Sequence, residues 1–251
     1  MKKATTPRCL GRARLRRLGR RLARVVAAGL GVTLVLSVLA AVALRWISPP
    51  TTAFMVQHQI AAWRSGGAET EAGVRYRWVD WADMNPELAV AVVAAEDQRF
   101  LEHHGLDFEA IDDALEERRG TGRLRGASTI SQQVAKNLFL WPGQSWLRKG
   151  IESYLTVLIE LVWSKRRVLE VYLNVAEFGT GVYGVGAASD RFFAREPARV
   201  DREQAALLAA VLPSPKRLHV ERPSPYVRSR QEWILAQMDQ LGGVGLLEGL
   251  R

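Results

Sequence analysis

The sequence predicts a mainly α-helical protein, with one membrane-spanning helix followed by a single helical exported domain. Three observations carry that prediction. Residues 25–44 contain no charged side chain. The rest of the chain repeatedly places helix-opening residues ahead of apolar positions at helical spacing. Strand-like alternation is confined to a few residues, where Val74, Tyr76 and Trp78 alternate with Arg75, Arg77 and Val79.

The first element is the apolar run. At about 1.5 Å per residue, a helix over 25–44 covers roughly 30 Å, the hydrocarbon thickness of a bilayer. Arg45 and Trp46 follow it as an interfacial charge and an interfacial aromatic. Ten Lys/Arg and no acid occupy residues 1–24, which places the N-terminus in the cytoplasm and the rest of the chain outside. The chain therefore divides into a basic tail (1–24), a signal-anchor helix (25–44) and an exported domain (45–251). A cleaved signal peptide is the rival reading, supported by Ala41-Val42-Ala43 but opposed by the length of the run. The net charge of +9 belongs to the tail, because residues 25–251 hold 25 basic against 26 acidic residues. A nucleic-acid partner loses its support, and 48% hydrophobic residues with eight Trp exclude a disordered chain. Cys9 lies on the cytoplasmic side, so the exported domain has no thiol chemistry.

Within that domain, residues 53–64 read as a short helix, and Ser65-Gly66-Gly67 as a break. Asn85-Pro86 supplies an N-cap and an N1 proline for PELAVAVVAAED, whose nearly continuous apolar positions predict burial on most sides. A helix with an acidic outer face is expected over Phe108–Arg119, and another from Ser128 to Leu138. Trp146–Trp163 carries Leu147, Ile151, Leu155, Leu158 and Val162 at helical spacing. Asp201 with Gln204 forms a capping box ahead of AALLAAVL, and Ser224-Pro225 opens the last helix, ended by Gly242-Gly243. Gly179-Thr-Gly181-Val-Tyr-Gly184 has the G-x-G-x-x-G form, but YLNVAEF before it reads as helix and no βαβ unit surrounds it, so a glycine-rich turn is expected. Lys165-Arg166-Arg167 reads as a solvated helix junction. His103-His104 lacks a second ligand pair for a metal, and structural histidines are expected there.

Three segments go beyond packing. In Glu96-Asp97-Gln-Arg99-Phe100-Leu-Glu-His103, an apolar helix delivers a carboxylate to its own C-terminal end. The negative end of the helix dipole and partial burial both raise the pKa of Glu96, which suits a general base. The plainer reading is an ion pair with Arg99. In Ser128-Thr129-Ile-Ser131-Gln132-Gln133-Val-Ala-Lys136-Asn137, i, i+4 spacing gathers hydroxyl, amide and ammonium groups on one face, suited to a sugar and a phosphate. A bland polar face is the alternative. Arg148, Lys149 and Glu152 form either a simple i, i+4 pair or a cationic cradle with an acid embedded in it.

These segments, in order, together with L-x-x-Y-L-N at 169–174, Glu177-Phe178-Gly179 and A-A-L-L-A-A-x-L-P, resemble the motif series of family 51 peptidoglycan glycosyltransferases. The ending at 223–243 is similar to that of the monofunctional biosynthetic transglycosylases, and no transpeptidase segment follows it. The resemblance implies a lysozyme-like helical domain with a small membrane-proximal jaw, in the periplasm and anchored to the inner membrane. It implies polymerisation of lipid II into a growing glycan strand, with Glu96 as general base and Glu152 as the second acid, which positions the donor, the basic residues or a divalent ion. Asp97, Arg99, Phe100, His103, Ser128, Thr129, Gln132, Gln133, Lys136, Asn137, Arg148 and Lys149 match substrate-binding positions. The resemblance implies no covalently bound cofactor, leaves room for Mg or Mn, and brings cell-wall synthesis or division proteins as partners. Gln144 and Gln204 depart from the family's usual Arg and Glu. Two further readings compete: a lytic peptidoglycan-cleaving enzyme on a lysozyme-like scaffold, and a non-catalytic cell-wall scaffold.

Overall fold

The computed structural model describes residues 8–64, 73–110, 112, 116, 128–143 and 145–250. The chain forms two compact units, Met1–Leu44 and Arg45–Arg251. The first is a single helix, α1 (Arg8–Leu44), so the basic strip continues the helix of the apolar run from Arg8 onward. Its stretch Gly19–Leu44 is long and apolar enough to cross a membrane. Val25, Leu30 and Val35 lie exposed along it, as lipid contact requires.

The second unit is mainly helical. Thr52 caps α2 (Ala53–Arg64) by accepting from the Met55 N–H at 3.2 Å. The short β1 (Arg75–Tyr76) and a 3₁₀ turn at Trp81–Asp83 lead to α3 (Pro86–Glu96). As expected, Asn85 caps α3 and Leu88 to Ala94 are all buried. This helix fills the middle of the domain because none of its faces needs water. α4 (Ile130–Phe139) opens on a full capping box between Thr129 and Gln132. It packs against α5 (Trp146–Val162) and α6 (Lys165–Val175). α3 packs against α6, α8 (Arg202–Val211) and α9 (Pro225–Gln240). Asp201 and Gln204 form the capping box of α8.

A small sheet sits between α6 and α7 (Gly184–Phe193), and the sequence showed only part of it. Strand β3 (Val182–Tyr183) is central, parallel to β1 and antiparallel to β2 (Glu177–Gly179). The helix expected to run through YLNVAEF therefore ends at Val175, and Glu177-Phe178 is strand. The buried side chain of Asn174 ties the pieces together. Its Oδ1 accepts from the Val79 N–H at 2.8 Å, and its Nδ2 donates to the carbonyls of Val79 and Glu170, each at 2.9 Å. Gly184 has φ +78°, and a Cβ there would lie 2.4 Å from the Asn174 carbonyl oxygen. The G-x-G-x-x-G glycines thus serve a hairpin pressed against a helix end.

Two expectations are corrected. The buried stripe of α5 is Glu152, Leu155, Thr156 and Ile159, while Leu147 is 74% exposed. The helix is rotated from the purely apolar choice because its inner face must seat Glu152. Lys165 and Arg167 are not solvated; their side chains are 16% and 12% exposed and pair with Glu160 at 3.0 Å and Glu170 at 2.7 Å. Of the helix expected over Phe108–Arg119, only residues 108–110, 112 and 116 are described, and these are helical. Ser65-Gly66-Gly67 and Gln144 lie outside the described residues.

Candidate active site

Glu96 is the last residue of α3, half-buried, where the helix carbonyls point. Burial pushes its carboxyl above the ordinary range. A hydrogen bond from Gln133 Nε2 to Glu96 Oε2 at 2.7 Å works against that rise, as do the charges of Arg230 and Lys136, while Asp97 adds to it. Arg99 is turned away from Glu96. It binds Glu102 at 3.0 Å and Glu109 at 2.6 Å, with Asp107 at 3.6 Å, which removes the plain ion-pair reading of Glu96.

Lys136 follows Gln133 by three positions on α4 and is also half-buried. Among the described residues its side chain makes no hydrogen bond or ion pair. Burial holds its ammonium below the usual lysine range, and Arg148 and Lys149 lower it further. Glu152, its strongest charged neighbour, and Glu96 oppose that lowering. Lys136 therefore stands electrostatically between the Glu96 carboxylate and the α5 cluster.

In that cluster Glu152 is 3% exposed and accepts from Arg148 at 2.9 Å and Lys149 at 2.5 Å. The cradle reading of this segment is the one the geometry favours. Lys149 is 41% exposed and retains donors for a ligand, whereas Arg148 is 11% exposed and its unpartnered Nε is buried. Arg148 and Lys149 thus share one fully engaged acid, and Lys136 stands near it without an ion pair. Both Glu152 oxygens being held by cations, this carboxylate does not fit a protein-held divalent ion. Among the described residues no cluster of three or more His, Cys, Asp or Glu offers another such site.

The remaining matched residues fall into two groups. Ser128 is exposed and Asn137 half-buried, both open to a ligand. Phe100 is fully buried beneath the Lys165 ammonium, 4.5 Å from its ring centre, and has no surface for a sugar. Thr129 and Gln132 are consumed by the capping box, and Thr129 Oγ1 also donates to the Gly105 carbonyl at 2.6 Å. Asp97 and His103 form a buried lock. Asp97 Oδ1 lies 2.9 Å from His103 Nε2, and its Oδ2 accepts from the Ile130 N–H at 3.0 Å. The Gly105 N–H donates to His103 Nδ1 at 3.1 Å, so Nε2 is the donor to Asp97. Asp97, Phe100, His103, Thr129 and Gln132 are thus buried, and the polar ones already partnered, at the α3–α4 junction behind the site.

Two residues of the site had no role in the sequence reading. Tyr172 on α6 donates from its hydroxyl to Gln133 Oε1 at 3.1 Å. Arg230 on α9 donates to the Ala95 carbonyl at 3.2 Å, beside Glu96. A signal for Arg230 exists: it lies in the stripe Val227, Arg230, Ile234, Met238, whose other members are buried and apolar.

A family model described as Transglycosylase matches residues 66–239. The chain belongs to the transglycosylase family. It is 50% identical over 233 residues to a protein of Pseudomonas entomophila called biosynthetic peptidoglycan transglycosylase, covering 93% of this chain and 94% of that one. Proteins of the same name from Salmonella schwarzengrund and Xanthomonas campestris pv. campestris are 52% and 50% identical, covering 84% of this chain and 90% and 85% of theirs. The transglycosylase match spans α3, α4, α5 and α6, so every residue of the site described above lies inside it.

Proposed function

We propose that this protein is a membrane-anchored peptidoglycan glycosyltransferase that polymerises lipid II. The observation that carries the reading is one carboxylate made more basic by burial, set beside three cations of which two share a single acid. Glu96 takes the proton from the 4-hydroxyl of the acceptor GlcNAc. The oxygen attacks the anomeric carbon of the donor MurNAc from the face opposite its pyrophosphate, forming a β-1,4 bond with inversion. The C1–O bond to undecaprenyl pyrophosphate breaks and its electron pair leaves with the phosphate oxygen. Lys136, Arg148 and Lys149 neutralise the charge that grows there, and their cradle costs little reorganisation because Glu152 already holds two of them. A pyrophosphate arriving at Lys136 favours its charged form, which burial otherwise disfavours. A glycan-cleaving enzyme has no pyrophosphate to neutralise, and a scaffold needs no basic carboxylate.

The test is incubation of the purified full-length protein with labelled lipid II and Mg²⁺ in detergent. The intact protein yields glycan chains and Glu96→Gln loses at least about 10³-fold in rate, in the upper range for a positioned base. An intact protein that forms no chains, or a fully active Glu96→Gln, overturns the proposal.

A further inference from the structure

Tyr172 is fully buried on the inner side of α6, between Leu169 and Leu173 in the chain, where phenylalanine would pack as well. Its hydroxyl nevertheless donates to Gln133 Oε1 at 3.1 Å, and the same amide donates from Nε2 to Glu96 Oε2 at 2.7 Å. We propose that Tyr172 is a positioning residue for Glu96, fixing the Gln133 side chain so that its NH₂ group, not its carbonyl oxygen, faces the carboxylate. A glutamine amide has two orientations of nearly equal shape. The reversed one would set a carbonyl oxygen against the ionised carboxylate, the form that accepts a proton. The ionised carboxylate, which only accepts, favours the NH₂ face, and the Tyr172 hydroxyl donating to Oε1 pins the amide in that orientation. Burial, with Glu96 and Asp97 nearby, pushes the Tyr172 hydroxyl well above its ordinary range, so it stays protonated and keeps donating.

The charges around Glu96 come from every side. Lys136 from α4 and Arg230 from α9 favour the ionised form, and Asp97 and burial oppose it. Among these influences the Gln133 bond is the largest that lowers the carboxyl pKa, so weakening it lets burial raise it further. The inference rests on the reading of Glu96 as the base.

The experiment is the pH profile of lipid II polymerisation by the full-length protein and by Tyr172→Phe, Gln133→Met and the double variant. Thermal melting accompanies each. In Tyr172→Phe the acidic limb moves up by about 0.5–1 pH unit, a fraction of what a hydrogen bond to a charged group can shift. Gln133→Met moves it the same way, and the double variant adds nothing further. An unmoved limb in Tyr172→Phe, with activity falling only as melting temperature falls, overturns the relay. So do additive shifts, and so does an unmoved limb in Gln133→Met, which carries the test if Tyr172→Phe does not fold. A Glu96→Gln protein that polymerises refutes the function itself, whereas an inactive Glu96→Gln with unmoved limbs refutes only the relay.

Discussion

At the scale of single residues, the site keeps two charges in surroundings that disfavour them. Lys136 is the clearer case, because burial lowers its pKa and no close ion pair compensates. Its folded value lies below the 10.5 of an ordinary lysine, so between the two values the unfolded chain binds more protons. Stability therefore rises with pH through that window, and below it the charged ammonium costs stability. Lys136→Met should lower the rate of lipid II polymerisation at least about 100-fold, the scale of losing one preorganised charge contact in a transition state. Its melting temperature at neutral pH should equal or exceed that of the parent, and the gap should close as pH approaches 10.5. Parallel melts and rate assays check this, and equal losses of melting temperature and activity would contradict it. The sequence already pointed to Lys136 and Glu96, since an isolated cation on an amide-rich face and an acid at an apolar helix end are visible without a structure. Gln133's partner across α6 was not, because a contact between positions 39 residues apart leaves no local pattern.

At the scale of elements, the decisive join is between the end of α3 and the start of α4. One carboxylate, Asp97, takes the His103 ring N–H on one oxygen and the Ile130 N–H on the other. Glu96 and Gln133 flank that join, so their 2.7 Å bond depends on it. Asp97→Asn keeps the shape but turns one acceptor into a donor that faces another N–H. The expected loss is about 2–3 kcal/mol, the cost of burying unsatisfied groups plus a lost charged hydrogen bond. Denaturant unfolding measures it, and hydrogen exchange should quicken at the first turn of α4; a change within 0.5 kcal/mol, the ordinary range for a surface site, would refute the lock. Helix existence was legible because caps are local: Asn85-Pro86 and Asp201 with Gln204 occupy their expected positions, while α4, expected from Ser128, is capped one residue later by Thr129 with Gln132. Helix facing was less so. Apolar spacing on α5 chose a stripe through Leu147, whereas the core took Glu152 and Thr156, polar residues satisfied by Arg148, Lys149 and the helix backbone. Lys165 was misplaced for the same reason, since Glu160 and the Phe100 ring that receive it are distant in pattern but adjacent in space.

At the scale of the whole molecule, the apolar side of α5 is left in solvent. Trp146 is 92% exposed, Leu147 74% and Leu161 79%, and Trp63 on α2 is 74% exposed. Single exposed apolar residues are common, but aromatic and aliphatic side chains of this size on one helix mark a surface made for another phase. The same helix carries Arg148, Lys149 and Glu152 on its inner side, so α5 joins an apolar outer face to the proposed pyrophosphate cradle. A lipid-linked substrate requires that conjunction, since its tail stays in the bilayer while its pyrophosphate is bound. The charge of residues 25–251 is close to balanced, so attraction to anionic lipid cannot supply the contact and apolar burial must. A version lacking Met1–Leu44 should fold, because Arg45–Arg251 is a compact unit of its own. It should still sediment with neutral phosphatidylcholine vesicles. Burying each large side chain contributes about 1.5–3 kcal/mol, so Trp146→Ser, Leu147→Ser and Leu161→Ser together should weaken partitioning at least about 100-fold. Their melting temperature should stay unchanged, and polymerisation of vesicle-borne lipid II should fall far more than polymerisation in detergent. An anchorless protein that stays in the supernatant, or a triple variant that binds vesicles as before, would show that this face serves something other than lipid.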